Sequence, residues 1–402
     1  MSSTKKVRFQ SANGHELVGY VQVPADQHPE HFAILAHCFS CTKNLGALRE
    51  IGRSLTLAGF GILRFDMTGL GESEGEFGNT GFVSNITDIV SAYHFLEAEY
   101  AAPDLLIGHS FGGTAALCAA TMMPSTEAVV TIGSPSDPRH VMHRFGESLL
   151  EIQEKGSATV ELEGRPFTIS REFVESLLSD DLENELATLN KAILVIHSPQ
   201  DTVVNVDHAK RIYDYAKHPK SFVSIDGADH MLTNKRDSQY IGQLIASWSK
   251  RYLPQRLNND DLKRSRGVSV RLDGDEQFTT EIMVRHHGLL ADEPESVGGN
   301  DFGPGPYELV SAGLGACTAM TLQMYARRKK WPLDRVEVEL RHAKEANDAG
   351  EKVDVFQRTI TIEGNLDQTQ RERLLEIANK CPVHRTLEAG ATVRTALVSE
   401  AS

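Results

Sequence analysis

At 402 residues the chain is long enough for two or three domains. Its 40% hydrophobic and 24% charged content is that of an ordinary globular protein. A formal net charge of −14 sets it against nucleic acid and anionic membrane surfaces, so neither is expected as a partner. Residues Met1–Lys6 lead straight into a strand-like Val7-Arg8-Phe9, with no apolar signal region and no run long enough to span a bilayer. The expected location is cytoplasmic. The five cysteines are odd in number and scattered, which does not suggest a disulfide framework, and thiols are expected.

From Val7 to about Pro254, strands and helices alternate. Phe32–Ala36, Gly61–Phe65, Ala128–Ile132 and Ala192–Ile196 are apolar runs of strand length, as a parallel sheet covered on both faces requires. Between them Val83, Ile86, Val90 and Tyr93 recur at helical steps, and Tyr240-Ile241, Leu244-Ile245 and Trp248 do so near the end. This order predicts a doubly wound α/β sheet. Chemistry in such sheets lies beyond the carboxyl ends of strands.

Gly108-His109-Ser110-Phe111-Gly112 has the pattern G-x-S-x-G. A short apolar strand, Asp104–Ile107, precedes it, and a helix of small residues, Thr114–Ala120, follows. In that setting a serine is pushed out on a strained turn and can act as a nucleophile. Two later strands end in loops carrying an acid and a histidine, Asp201 and His230. The order Ser110, Asp201, His230 points to acyl-transfer chemistry. His230 is the expected base, Asp201 orients it, and the backbone N–H groups of Phe39 and Phe111 are the expected oxyanion hole. Asp229 competes for the acid role, but its adjacency to His230 makes a bond to Nδ1 awkward. Cys38 and Cys41 form a C-x-x-C pair where the oxyanion loop falls. They are read as small loop residues, with a disulfide there expected to deform the hole.

Residues 134–187 form an insertion holding an amphipathic stretch, His140–Phe145, and a hairpin, Thr159–Ile169. His140 and His143 have the spacing of a metal pair, yet no third ligand is evident, and no metal is expected.

These loops resemble, in register, the α/β-hydrolase family over about the first 250 residues: His-x-Phe after the first strand, Asp-x-x-Gly-x-Gly-x-Ser from Asp66, Gly-His-Ser-x-Gly-Gly, and Gly-Ala-Asp-His. The resemblance implies a doubly wound sheet with residues 134–187 as a lid over the nucleophile.

Leu253–Asp261 is polar and breaks the pattern. The expected organisation is a first domain over 1–254, a linker over 255–266 and a second domain over 267–402. Beyond Gly267 the reading is a hairpin (Val268–Leu272 and Phe278–Val284), a helix from Tyr307 to Lys330, strands near Val336–Leu340 and Phe356–Ile362, a helix from Gln368 to Lys380, and a closing strand, Ala391–Val398. That is an α+β domain.

Gly303–Leu309, Ala312–Thr318 and Cys381-Pro382-Val383-His384 resemble the OsmC-like family, which includes the organic hydroperoxide reductases. The resemblance implies thiol peroxidase chemistry without a bound cofactor. Cys317 would attack an organic hydroperoxide, Cys381 would resolve the sulfenic acid, and an external dithiol would reduce the disulfide. It also implies an intertwined homodimer and an arginine held by a glutamate beside the attacking cysteine. Arg271 and Arg285 are both candidates for that arginine. Aligned on Cys317, the glutamate position is Tyr307, with Glu308 one residue later, about 100° round a helix.

Two further readings stand beside an ester or thioester hydrolase fused to a hydroperoxide reductase. The second domain could serve dimerisation alone, or the first half could be a cofactor-free haloperoxidase or perhydrolase.

Overall fold

The computed structural model describes residues 4–26, 28–39, 41–76, 80–162, 165–178, 182–254, 267–274, 276–285, 287–347 and 350–397. The expected linker, 255–266, lies outside them. The chain divides into two compact units, one of Ser2–Val270 with Ile282–Gly288, the other chiefly Arg271–Glu281 with Leu289–Ser402.

The first unit is built on an eight-stranded sheet. Its elements are β1 (Thr4–Gln10), β2 (Glu16–Gln22), β3 (His31–Ala36), α1 (Gly46–Leu57), β4 (Phe60–Phe65), α2 (Phe82–Glu99), β5 (Leu105–His109), α3 (Phe111–Ala119) and β6 (Ala128–Ile132). There follow α4 (Ser148–Lys155), β7 (Ser157–Leu162), β8 (Arg165–Ser170), α5 (Arg171–Ser176), α6 (Leu182–Thr188), β9 (Ala192–His197), α7 (Asp207–Tyr215), β10 (Lys220–Ser224) and α8 (Lys235–Ser249). The strand order is β1-β2-β4-β3-β5-β6-β9-β10. β1 and β2 pair antiparallel, as do β2 and β4, and the remaining pairings are parallel. Parallel neighbours need crossovers, and the helices supply them on both faces.

Both faces are apolar because successive strand residues point to opposite sides. Leu106, Val129 and Ile193 join a core with Ile89 and Tyr93 of α2 and Ala115 of α3. Leu105, Ile107, Val130 and Leu194 join another with Ile51 and Leu55 of α1 and Ile241 and Ile245 of α8. The continuous apolar runs follow from this two-sided burial. The antiparallel lead, β1 and β2, adds an edge beyond the parallel set.

Residues 134–187 leave the sheet after β6 and return before β9. They hold a 3-10 segment (Pro138–Arg144), α4, the antiparallel pair β7/β8, α5 and α6.

In the chain beyond residue 267, β11 (Val268–Arg271), β12 (Thr280–Val284) and β13 (His287–Ala291) form a three-stranded sheet, so the expected hairpin gains a third strand. α9 (Pro306–Lys329) is followed by a long antiparallel pair, β14 (Arg335–Ala346) and β15 (Lys352–Glu363), then α10 (Gln368–Ala378) and α11 (Pro382–Ala389). A small core of Leu322, Ala326, Leu374 and Ala378 joins α9 to α10. The expected closing strand is not formed over its described residues, 391–397, and Val393 and Leu397 are exposed. An alternating segment becomes a strand only where an edge offers it hydrogen bonds, and none pairs with it here.

Among the described residues, no helix is long and apolar enough to cross a membrane.

Candidate active sites

Ser110 closes the turn from β5 into α3 with φ 54° and ψ −128°, a sparsely populated backbone region for a residue with a side chain. The turn is sharp because glycines let backbones meet. A Cβ on Gly112 would lie 2.2 Å from the His37 carbonyl, and one on Gly113 would lie 1.9 Å from Ser134 Oγ. The Ser110 N–H is anchored on the Ile132 carbonyl at 2.8 Å.

Three loops converge there. His230 Nε2 is 2.9 Å from Ser110 Oγ, and its Nδ1 is 2.7 Å from Asp201 Oδ2. The other carboxylate oxygen, Oδ1, accepts the backbone N–H groups of Val203 and Val204 at 2.8 and 2.9 Å. Burial would raise this carboxyl, but the His230 bond and the two N–H groups hold it below its ordinary value. Asp229, the adjacent acid, is bonded instead to Thr233. The structure thus brings Ser110, His230 and Asp201 into one hydrogen-bonded row.

Phe111 is the first residue of α3, so its backbone N–H has no intrahelical acceptor. Phe39 and Phe111 line one cavity with Ser110 and His230, and their rings meet edge to face at 5.2 Å. Pro135, Val141, Val204 and Met231 make most of the remaining wall apolar, with His140 and Arg144 adding polar groups from the 134–187 insertion. His140 Nε2 lies 3.1 Å from the Val203 carbonyl, and its ring stands edge-on to that of the exposed His143 at 5.8 Å.

Two features differ from expectation or went unseen. Cys38 and Cys41 are joined in a disulfide rather than held as thiols. The reason is local: the Cys41 N–H bonds back to the Cys38 carbonyl, and this turn sets the Cα atoms 5.2 Å apart, within disulfide reach. With the bridge closed, Phe39 lines the cavity beside Ser110.

The second feature is a buried clamp behind that loop. Lys43 has no exposed side-chain surface, and its Nζ bonds Asp66 Oδ2 at 2.5 Å and Glu72 Oε1 at 2.9 Å. Its backbone N–H bonds Asp66 Oδ1 at 2.7 Å. The Asp66 carboxylate packs so closely on Gly71 that a Cβ there would lie 2.2 Å from it. Lys43→Met leaves the Asp66 carboxylate buried without its cation. Its expected cost is about 3–5 kcal/mol, read as a lower urea midpoint at neutral pH. An unchanged midpoint would show that the clamp carries no stability.

His109, next to the nucleophile, is fully buried, and its Nε2–H donates to the His230 carbonyl at 2.8 Å. Burial pushes it down to about 3, with His230 adding to the effect. In the unfolded chain it takes a proton below about 6.5. Between those values unfolding binds a proton, so this contribution is full above pH 6.5 and falls by about 1.4 kcal/mol per unit as the pH drops towards 3. Urea midpoints at neutral and mildly acidic pH are expected to fall less in His109→Gln than in the parent. Equal falls would contradict this assignment.

In the second unit, Cys317 on α9 and Cys381 at the start of α11 come together. Both are free thiols, Cys381 fully buried and Cys317 half-buried, and Cys317 is among the groups that lower the Cys381 thiol. The expected supporting residues do not join them. Glu308 turns back to accept the Gly305 N–H at 2.8 Å, because position N3 of a helix starting at Pro306 favours a capping box. Arg271 pairs with Glu281, and Arg285 is exposed in the β12–β13 turn with φ 58°. The arginine beside the thiols is Arg358 of β15. Its Nη1 donates to Thr318 Oγ1 at 2.7 Å, and that oxygen is 3.7 Å from Cys381 Sγ. A signal was present: Phe356, Arg358, Ile360 and Ile362 alternate on the less exposed face of β15, and a lone cation on such a face calls for a partner.

The sheet order and the strand–turn–helix at Ser110 define an α/β-hydrolase, followed by an α+β domain. A family described as serine aminopeptidase, S33, matches residues 28–182, and one described as OsmC-like protein matches residues 298–396. The esterase domain of a Rhodothermus marinus protein is 42% identical, with a match that covers 63% of this chain and 100% of that one at a TM-score of 0.54. Est1E of Butyrivibrio proteoclasticus, solved with ferulic acid, is 19% identical over 61% of this chain and 98% of its own, also at 0.54. The uncharacterised YfhR of Escherichia coli O157:H7 is 23% identical over 251 residues, 60% of this chain and 80% of YfhR. The chain belongs to the esterase-like α/β-hydrolases, in the family of the Rhodothermus marinus esterase domain, and carries an OsmC-like domain at its C-terminal end.

Proposed function

We propose that the first domain cleaves carboxylic esters or thioesters through an acyl-Ser110 intermediate. The observation that carries this reading is the row Ser110–His230–Asp201, with 2.9 and 2.7 Å between successive partners. His230 takes the Ser110 proton as Oγ attacks the carbonyl carbon. The N–H groups of Phe39 and Phe111 hold the oxyanion, and Asp201 holds the imidazolium. Collapse expels the alcohol or thiol, which leaves with the proton from His230. Water then releases the acid by the same steps in reverse. The apolar wall of Phe39, Phe111, Val141, Val204 and Met231 favours an uncharged acyl or aryl group, and residues 134–187 act as the lid that selects it. Ester turnover by the Ser110→Ala chain is the test.

For the second domain the reading is a thiol-dependent hydroperoxide reductase, supported by the meeting of Cys317 and Cys381. Cys317 attacks the hydroperoxide, Cys381 forms the disulfide, and an external dithiol restores both. The domain also forms a homodimer in this reading. Val310, Met320 and Met324 of α9 and Leu375 of α10 are exposed, more apolar surface than a small lone unit keeps in water.

A second reading, in which this domain serves dimerisation alone, is favoured by one observation: Glu308 caps its own helix rather than holding an arginine.

A further inference from the structure

The two thiols of the second domain sit in unequal surroundings. Cys381 is the N-cap of α11, and its Sγ accepts the His384 N–H at 3.3 Å. From α9, Thr318 Oγ1 lies 3.7 Å from the same sulfur. Arg358 donates to that oxygen at 2.7 Å and is itself fixed by Asn379 Oδ1 at 2.9 Å and by the Ala378 carbonyl at 3.4 Å. The guanidinium polarises the hydroxyl, whose single proton goes either to the Leu314 carbonyl, at 2.8 Å, or to the sulfur. These donors converge on the buried cysteine, not on the more exposed Cys317.

We propose that Cys381 carries the negative charge of the reduced pair, that Arg358 is the residue positioning it through Thr318, and that Cys381 relays the proton of Cys317. This deepens the hydroperoxide-reductase reading and rests on it. Burial alone would raise the Cys381 thiol. The His384 N–H, Thr318, Cys317 and Arg358 together hold it below its ordinary value. The titratable groups that act on it are Cys317 of α9 and Arg358 of β15. On its own helix the His384 imidazole lies 3.4 Å from Glu388.

In this sequence Cys317 gives its proton to the Cys381 thiolate and attacks the outer peroxide oxygen. The O–O bond breaks, and the leaving alkoxide takes the proton back from Cys381 as the alcohol departs. Cys317 is then a sulfenic acid. The Cys381 thiolate attacks its sulfur, and the expelled hydroxide leaves as water with a solvent proton. Two thiols are oxidised to a disulfide, and one hydroperoxide is reduced to alcohol and water.

The test is ultraviolet thiolate absorbance of the full reduced chain, titrated from about pH 4 to about pH 9. The earliest rise is expected to survive in Cys317→Ser, whose hydroxyl keeps the donor to Cys381, and to vanish in Cys381→Ser. Arg358→Met is expected to move it up by about one unit or more, and Arg358→Lys, which keeps the charge, to restore part of it. Unchanged far-ultraviolet circular dichroism identifies the variants that fold. A rise that vanishes in Cys317→Ser instead, no separate rise in the parent, or a rise unmoved by Arg358→Met overturns the proposal. Since the titration uses no peroxide, it assigns the charge even if no hydroperoxide is consumed, so the two readings fail separately.

Discussion

Ester turnover by the Ser110→Ala chain is expected to fall by about 10⁴-fold or more, with the fold intact. In a row of this kind the nucleophile and base act as a unit, and loss of the nucleophile forfeits covalent catalysis altogether. The substitution removes one oxygen that is strained into place with φ 54° and nine-tenths buried. Relief of that strain does not offset the chemistry lost, because Ala at a positive φ is strained as well. The measurement is release of p-nitrophenol from short-chain esters, with urea midpoints beside it. Turnover close to that of the parent would refute acyl-Ser110.

The second large effect concerns the other domain. Dithiol-dependent consumption of cumene hydroperoxide by the intact chain is expected to drop to the uncatalysed rate in Cys317→Ser. Serine cannot be oxidised to a sulfenic acid, so the substitution removes the group that receives the peroxide oxygen. Consumption lost in the variant supports a second active site at Cys317. No consumption by either chain would leave a hydrolase joined to a dimerisation scaffold, the reading that the cap at Gly305 favours.

Much of the first domain was legible because its signals are local. Apolar runs gave β3, β4, β6 and β9, and Ser110, Asp201 and His230, which meet in one hydrogen-bonded row, stand just beyond strand ends. The residues that hold the loops in place were not legible. Lys43 stands 23 and 29 residues before Asp66 and Glu72, and a lysine in a loop gives no sign that its side chain will be buried. The Cys38–Cys41 bridge depends on one turn that sequence spacing permits but does not require. In the second domain α9 was legible from its small apolar residues and its basic last turn. α11 has no apolar run to announce it, and Pro382, which can close one helix, here opens the next at its first position. Arg358 reaches the thiols from β15, where only the face it shares with Phe356 and Ile360 marks it out.

The most direct test of the account treats the chain with a fluorophosphonate and follows peptide mass and ester turnover together. The account predicts one adduct on the peptide bearing Ser110 and loss of turnover in step with it. An adduct elsewhere, or turnover that persists once Ser110 is fully labelled, would contradict it.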